Sequence, residues 1–533
     1  MKFLYRISLS LLSAVLLSLA WPVGGFSPLL FIGFIPIFFL GENIIEHETR
    51  RKGTKFFFYS WVCFILWNVA DTYWVYFSTD VGGILAFFFN SLFMAIVMQS
   101  LFITRKRLGK IWSYIALVAC WTSFEMLHLS WQLSWPWLTL GNGFAATTSW
   151  VQWYEYTGVL GGTIWIWTIN ILLFFTIKSC INVGTKDKKS IKLGSVSGIL
   201  IFIPIIFSII VYHAYTEKKN GVNIVVVQPN IDPYNEKFSG NNLEQLQKML
   251  DLASQKVDST TDYLIFPETA LQEGICENAL DSSRSLRMLQ SFRSDYPRLK
   301  IITGISSFKK FPPDHKPSET AKWGTDSSYY YDIYNAAVQI DEQNKFTVYH
   351  KSKLVPGVEK LPYPAIFGSL EKYAISLGGM SGSYGIQENR TPFSSAKTKN
   401  KIAPAICYES IYGDFMSGYM TNDADLICIM TNDGWWRDSP GYKQHCIYGS
   451  LLAIEFRRSI ARSANTGISC FINQRGDISQ KTNWWVPAVI KETINANDTV
   501  TFYARHGDFF GWIMFLTATI LIILALLKRI FNK

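Results

Sequence analysis

Eight apolar runs, at residues 5–22, 27–43, 57–78, 83–104, 111–128, 158–181, 193–214 and 508–530, are each long enough to cross a hydrocarbon core about 30 Å thick. In lipid such a run satisfies its backbone N–H and C=O groups only as a helix. The sequence therefore predicts a membrane domain of about seven helices over 1–216 and a last helix with a short tail over 508–533. Residues 217–507 carry charge, glycine and short apolar strands but no spanning run, which predicts a soluble domain tethered at both ends. A composition of 49% hydrophobic and 16% aromatic residues is too apolar for a wholly soluble protein.

Basic residues set the expected orientation, because short loops rich in Lys and Arg stay in the cytoplasm. They cluster at Lys2 and Arg6, at "RRKGTK" (50–55), "RKRLGK" (105–110) and "KDKKSIK" (186–192), and at Lys528 and Arg529, whereas 56–104 and 111–177 contain neither type. With the N-terminus inside, each cluster follows an even number of crossings, so all fall on one face and residues 217–507 on the extracytoplasmic side. The first run, with Lys2 and Arg6 before it and "SLAW" at its end, also has the form of a signal peptide; cleavage after Ala20 would leave seven spans and the same orientation.

The formal charge of +10 lies largely in these membrane-flanking loops, so it reads as topology and no nucleic-acid partner is expected. Cys63, Cys120, Cys180, Cys276, Cys407, Cys428, Cys446 and Cys470 show neither CxxC nor zinc-type spacing, so no metal site is expected. An extracytoplasmic compartment leaves a disulfide among the later cysteines open.

From residue 222 onward come "VNIVVVQPNI", "DYLIFPETA", "KIITGISSF", "YNAAVQI", "KIAPAICYES", "DLICIMTNDGWW" and "GISCFINQRGDI", with helical stretches between them at 241–256 and 443–464. Continuous apolar strands alternating with helices predict an α/β class, with sheets covered by helices on an outer face. Residues 309–328 and 378–400 read as surface loops.

Three of these runs deliver chemistry. "DYLIFPETA" brings Glu268 just past an apolar strand, "VYHKSKLVPGVEKLP" carries Lys351 and Glu359, and "APAICYES" carries Cys407 with Glu409 two residues on. Strand ends are where α/β proteins assemble sites. A thiol with an ordinary pKa of about 8.5 becomes a usable nucleophile beside a carboxylate base and an ammonium that stabilises thiolate and oxyanion. The plain alternative is that Cys407 is a small buried hydrophobe and Glu268 and Lys351 a surface pair.

"FPET", "YHKSKLVPGVE" and "ICYES" resemble, in order and character, the Glu, Lys, Cys motifs of the nitrilase superfamily. "TNDGWW", "QH", "RSIARSANTGIS" and "INQRGDI", with "FYARHGDFFGW" leading into the last helix, extend the likeness to its membrane-bound branch, the apolipoprotein N-acyltransferase family. The resemblance implies an α-β-β-α nitrilase-like sandwich on a multi-span helical domain of the bacterial inner membrane, with the catalytic domain on the periplasmic side. It implies Glu268 as general base, Lys351 as stabiliser and Cys407 as acylated nucleophile, with Glu359, Tyr408 and Glu409 in support. The implied partners are a phospholipid acyl donor, phosphatidylethanolamine, and a diacylated lipoprotein acceptor, with no cofactor.

Several positions carry two readings. If the strand continues, Glu409 shares the face of Cys407 and Tyr408 points away, into packing or site. After "LVP" the family has an aromatic residue and then glycine, whereas "GV" stands here before Glu359; a displaced glycine alters local backbone freedom. Trp435 lines an acyl pocket or fills core together with Trp436. The loop "QPNIDPYNEKFSG" (228–240) reads as a cover, with Lys237 and Phe238 assigned no role. Asp71 and Glu125 read as hydrated charges near the outer interface or as functional intramembrane groups. The tryptophan-rich stretch 130–156 reads as an aromatic belt or a lipid-facing floor. Two rival functions remain: a membrane-tethered amidase or nitrile hydrolase using the same three residues with water, and a transporter or receptor whose soluble domain only binds ligand.

Overall fold

Each of the eight apolar runs is a helix in the computed structural model, which describes residues 2–324, 328–363, 383–395 and 397–531. They are α1 (Lys2–Ala20), α2 (Ile35–His47), α3 (Lys52–Thr72), then, past the single turn α4 (Val75–Ser78), α5 (Asp80–Leu108), α6 (Lys110–His128), α7 (Tyr154–Val183), α8 (Lys188–Ala214) and a C-terminal helix, Phe509–Phe531. Six of these segments are long and apolar enough to cross a membrane; α3 and α6 fall short, since Lys52, Lys55 and Asp71 in one and Lys110, Glu125 and His128 in the other lower their hydropathy. The chain is a multi-pass membrane protein.

Contacts divide the chain into two compact units. The first comprises Met1–Tyr76, Gly83–Ala214 and His506–Lys533, and the second Phe77–Gly82 and Tyr215–Arg505. In the first, α1 is a packed member: Leu17 and Ala20 are fully buried, and Ser13 Oγ accepts from Ile37 N at 3.2 Å. The hydrated reading of Glu125 does not hold. It is buried, Oε1 accepting from the Trp121 indole at 2.9 Å and from Leu140 N at 3.0 Å, and Oε2 from the Thr163 hydroxyl at 2.5 Å. One carboxylate thus joins α6, the loop after it and α7. Asp71 is half-buried, and the tryptophans of 130–156 divide, Trp137 being buried and Trp131 exposed.

The second unit holds two sheets. One runs β13 (Ala488–Asn495), β1 (Gly221–Gln228), β2 (Tyr263–Ile265), β4 (Lys300–Phe311), β6 (Tyr330–Ile340), β5 (Lys322–Trp323), with β3 (Leu271–Cys276) on β4 and β7 (Phe346–His350) on β6. The other runs β12 (Ile478–Ser479), β11 (Cys470–Ile472), β10 (Ser459–Ala464), β9 (Leu426–Thr431), β8 (Ile402–Ile406). β1, β2 and β4 are mutually parallel, as are β8, β9 and β10. Parallel strands covered on both faces favour apolar residues at every position, which is why β1, β8 and β9 read as unbroken runs.

Alternation sorts the faces. Val225, Val227, Leu264 and Ile301 pack with Leu246, Met249, Leu286 and Leu289 of α9 (Asn242–Ser254) and α10 (Arg284–Ser294) in one outer core. The inner faces meet where Ser463 Oγ donates to Val227 O at 2.9 Å. Helices α11 (Gly413–Met420) and α12 (Pro440–Phe456) belong to the other sheet, α12 contacting β10 and β11, which completes a nitrilase-like α-β-β-α arrangement.

Two expectations change. The stretch 443–464 is not one helix: α12 ends at Phe456, Arg457 turns left-handed at φ +50°, and β10 follows. Residues 309–311 belong to β4, and 322–323 form β5, so 309–328 is only partly loop. Residues 325–327 of that loop, and 378–382 and 396 of 378–400, lie outside the described residues.

The Glu125 arrangement generates a stability prediction. Glu125→Ala strands three buried donors and is expected to cost about 2–4 kcal/mol, whereas Glu125→Gln keeps an acceptor at Oε1 and retains most of the stability. Thermal unfolding in detergent tests this; equal melting temperatures for the Ala variant and the parent would refute it.

Candidate active site

The residues singled out in the sequence stand at the ends of strands. Glu268 follows β2, Lys351 directly follows β7 and Cys407 directly follows β8. Lys351 Nζ lies 3.0 Å from Glu268 Oε1 and 2.8 Å from Glu359 Oε1, all three side chains being buried. Asn335 of β6 donates from Nδ2 to the same two oxygens, at 2.8 and 2.9 Å.

Glu359 reaches Lys351 despite the displaced glycine. Gly357 takes φ +81°, a left-handed conformation that suits glycine, and the turn it makes folds Glu359 back so that Oε2 accepts from Val355 N at 2.8 Å. Gly304 of β4 has an equally definite role under Glu268. A Cβ there would sit 2.4 Å from Thr269 N and 2.7 Å from Glu268 Cα, so the strand and the Glu268 segment approach this closely only without a side chain.

Cys407 itself is left-handed, at φ +50°, and opens a 3-10 turn, Cys407–Ile411. The strand therefore does not continue, and alternation of faces does not decide where Tyr408 and Glu409 point. Tyr408 is buried with its ring edge-on to Tyr412 at 5.1 Å. Glu409 turns back: Oε2 accepts from Ile406 N at 2.8 Å, while Oε1 accepts from Tyr349 OH and Ser352 N, each at 2.7 Å. One buried carboxylate thus ties the turn bearing Cys407 to the Tyr349 hydroxyl and the Ser352 amide, on either side of Lys351.

The electrostatics separate the groups. Burial would raise the Glu268 carboxyl, but the Lys351 ammonium, the Asn335 amide and the Lys237 ammonium outweigh it and hold the group below the ordinary glutamate value. Burial would lower Lys351; Glu268, Glu359 and the Cys407 sulfur outweigh it and leave the ammonium well above the ordinary lysine range. The Cys407 thiol goes the other way, pushed up by burial, Glu268 and Asp433 against Lys351 and the Thr431 hydroxyl. At neutral pH the site therefore holds a carboxylate, an ammonium and a protonated thiol.

Sequence reasoning passed over several neighbours. Lys237, in the 228–240 loop, is buried with Nζ donating to Glu268 O at 3.0 Å and to Thr269 Oγ1 at 2.6 Å; burial brings it down to about 8 against the pull of Glu268 and Cys407. The same loop lays Phe238 parallel to Trp435, ring centroids 6.2 Å apart, and sets Tyr234 edge-on to it at 5.3 Å, so half-buried Trp435 is covered by the loop. Asn335 gave no signal, since an asparagine inside an apolar strand has no spacing to mark it. Asp433 and His445 lay inside stretches read for secondary structure and resemblance, with no role assigned to either.

Cys407, Asp433 and His445 offer a thiol, a carboxylate oxygen and a ring nitrogen within 4.8 Å of one another, the donor types of a metal site. Asp433 is already committed, however, to Arg462, Thr431 and His445, and a cation would have to displace the Arg462 guanidinium. The set fits a hydrogen-bonded chain better than a metal centre.

The tight approach at Gly304 makes a direct test of the geometry. Gly304→Ala is expected to displace the Glu268 segment and to lower Cys407-dependent turnover by about 100-fold with the melting temperature largely kept. Turnover within a few-fold of the parent would show that the segment can yield.

The family model described as Apolipoprotein N-acyltransferase N-terminal domain matches residues 13–172, and that described as Carbon-nitrogen hydrolase matches residues 223–503. The apolipoprotein N-acyltransferase of Chlorobaculum tepidum is 31% identical over 98% of this chain and 96% of its own, and that of Geobacter metallireducens 24% identical over 98% and 95%. Among solved structures, Saccharomyces cerevisiae Nit3, of the nitrilase superfamily, aligns at 13% identity with a TM-score of 0.37 over 52% of this chain and 93% of its own. Two family models in the right order and a full-length relative at this identity place the chain in the apolipoprotein N-acyltransferase family.

Proposed function

We propose that this enzyme N-acylates the N-terminal diacylglyceryl-cysteine of bacterial lipoproteins in two steps through a thioester on Cys407, with a phospholipid, phosphatidylethanolamine, as acyl donor. The observation that carries this reading is Cys407 at a strand end, in electrostatic reach of a charged Glu268–Lys351 pair, in a chain whose described residues include six helices able to cross a membrane.

In the first step the thiol, protonated at neutral pH, must lose its proton as it attacks, and Glu268 is the base that takes it. The sulfur bonds to the acyl carbonyl carbon of the phospholipid ester, Lys351 stabilises the oxyanion, and the C–O bond breaks to release a lysophospholipid that carries the proton away. In the second step the α-amine of the lipoprotein attacks the thioester. Glu268 accepts an amine proton, the C–S bond breaks, and Cys407 is returned as a thiol beside a triacylated product. Glu359 keeps the Lys351 ammonium fixed between two carboxylates, and Trp435 under the 228–240 loop lines the acyl path. Tyr408 packs behind the nucleophile, while Glu409 holds its turn.

The layout supports this division of labour. Each methylene costs about 0.8 kcal/mol to expose to water, so neither donor nor acceptor leaves the bilayer readily and the enzyme must meet them at its surface. The distribution of Lys and Arg supports residues 217–507 lying outside the cytoplasm, with 1–216 and 508–533 in and beside the inner membrane.

Two measurements test this reading. Intact-protein mass spectrometry after incubation with phosphatidylethanolamine is expected to show one acyl adduct in the parent and none in Cys407→Ser, and the adduct is expected to leave on addition of a diacylated lipopeptide. Discharge to water at the same rate without lipopeptide would instead indicate a hydrolase. The pH profile gives the second test, because a base held below the ordinary glutamate value stays charged to lower pH. The acid limb of acylation should therefore lie below about 4.3, and an acid midpoint near 6 would exclude Glu268, as it stands here, from that role.

A further inference from the structure

A second chain of buried polar side chains ends on Cys407, and the acyl-transfer scheme leaves it without a task. The Cys407 carbonyl oxygen accepts from Ser410 Oγ at 2.8 Å and faces His445 Nε2 at 3.2 Å, and these two partners are 3.1 Å from each other. The other nitrogen of His445, Nδ1, lies 2.9 Å from Asp433 Oδ1 and 3.3 Å from Arg462 Nη2. Asp433 accepts from Thr431 Oγ1 at 2.5 Å and from Arg462 Nη2, and Arg462 Nε donates to Ile468 O at 3.1 Å. Thr431, Asp433, His445 and Arg462 are all at or below 1% exposure.

The sheet builds this chain. β8, β9 and β10 lie side by side and parallel, with Ile406 opposite Met430 and Ile429 opposite Arg462. Their register brings Cys407, Thr431 and Arg462 to one end of the sheet, and the first turns of α12 bring His445. A carbonyl oxygen can only accept, so Nε2 carries the hydrogen that points to Cys407. Asp433 and Arg462 together fix the ring plane, burial raising the Asp433 carboxyl but Arg462 and His445 outweighing it, so the carboxylate stays charged.

We propose that His445 is the positioning residue of the nucleophile. By hydrogen-bonding the carbonyl of Cys407 it holds that residue in the left-handed conformation that sets its Sγ beside Glu268 and Lys351, with Asp433 and Arg462 fixing the imidazole in turn. A left-handed cysteine is strained and persists only where its surroundings over-determine it. Glu409 holds the turn from the amide side, at Ile406 N, and His445 and Ser410 hold it from the carbonyl side. This inference rests on Cys407 being the nucleophile, and its test reads the thiol directly as well as acyl transfer.

The test compares His445→Phe, which keeps a ring without nitrogen, His445→Gln, whose amide nitrogen reaches the place of Nε2, and His445→Asn, whose amide is one methylene short. In full-length protein in detergent, alkylation of Cys407 by iodoacetamide is followed by peptide mass spectrometry with no lipid present. His445→Phe and His445→Asn are expected to slow it by about 10-fold and to lower kcat for acylation by about 30-fold with KM for the phospholipid within about 2-fold. His445→Gln is expected to restore most of both. Parental alkylation in the Phe variant, or equal rates in Gln and Asn variants, would overturn the proposal. Should the Phe variant not fold, the Gln and Asn comparison decides alone. If the alkylation pattern holds but no protein is acylated by phospholipid, the positioning role stands and the acyl-transfer reading fails.

Discussion

The site depends on one buried ammonium. Taking an ammonium out of water costs several kcal/mol even after relaxation, and the interior tolerates it only if it is paired and hydrogen-bonded. Lys351 meets that condition with two carboxylate oxygens at 3.0 and 2.8 Å, each of which also accepts from Asn335. The converse matters as much: Glu268 and Glu359 are anions aimed at one point, and they would repel without the cation between them. Because Glu268 follows β2, Lys351 follows β7, Asn335 lies in β6 and Glu359 belongs to the turn at Gly357, this one charge fixes four segments of chain.

That arrangement divides the chemistry between groups. Opposite charges hold Glu268 and Lys351 in their charged forms, so neither needs to change state before a substrate arrives. The thiol is kept neutral, which suits the proposed role of a nucleophile that sits unreacted until an ester carbonyl is next to it. The second sheet contributes Cys407, and Glu409 couples it to the first by accepting hydrogen bonds from Ile406 N on one side and Tyr349 and Ser352 on the other. A misplacement of about 1 Å between nucleophile and base can cost about 100-fold in rate, so a carboxylate spanning both sheets matters even without touching substrate.

How much of this was legible in the sequence follows from what each feature imprints on it. Membrane helices need apolar residues at almost every position, so all eight runs were visible; only α3 and α6, which carry charges within their spans, fall short of the hydropathy of the rest. Parallel buried strands leave the same mark, and β1, β8 and β9 were plain. A strand such as β10, "SIARSA", with serines and a buried arginine, reads as the continuation of α12. Glu268, Lys351 and Cys407 stood out because charge or thiol at a strand end breaks an apolar pattern, and Glu359 because it follows Lys351 in the same motif. Asn335, Lys237, Asp433, His445 and Arg462 did not, because their partners lie far along the chain. His445 meets Cys407 across 38 residues and Lys237 meets Glu268 across 31, separations for which no local rule of spacing exists.

Buried acids are partnered in two ways, by neutral donors and by cations, and the membrane unit holds both: Glu42 is buried against Arg105, Lys110 and Lys178. In the membrane unit Glu125 accepts from three neutral donors, Trp121, Leu140 and Thr163, with no cation among these partners, so its hydrogen bonds serve to join helices. In the second unit several buried acids sit in charged company: Glu268 and Glu359 with Lys351, and Asp433 with Arg462. Glu409 stands between the two kinds, holding backbone amides and a tyrosine hydroxyl, and burial accordingly raises its carboxyl where those partners pull it down. Around Lys351 charge is concentrated on the groups proposed to move a proton and meet an oxyanion, whereas at Glu125 neutral hydrogen bonds hold chain segments together. The sandwich bears the desolvation cost of the first group because its strands, buried on both faces, supply the apolar area that offsets it.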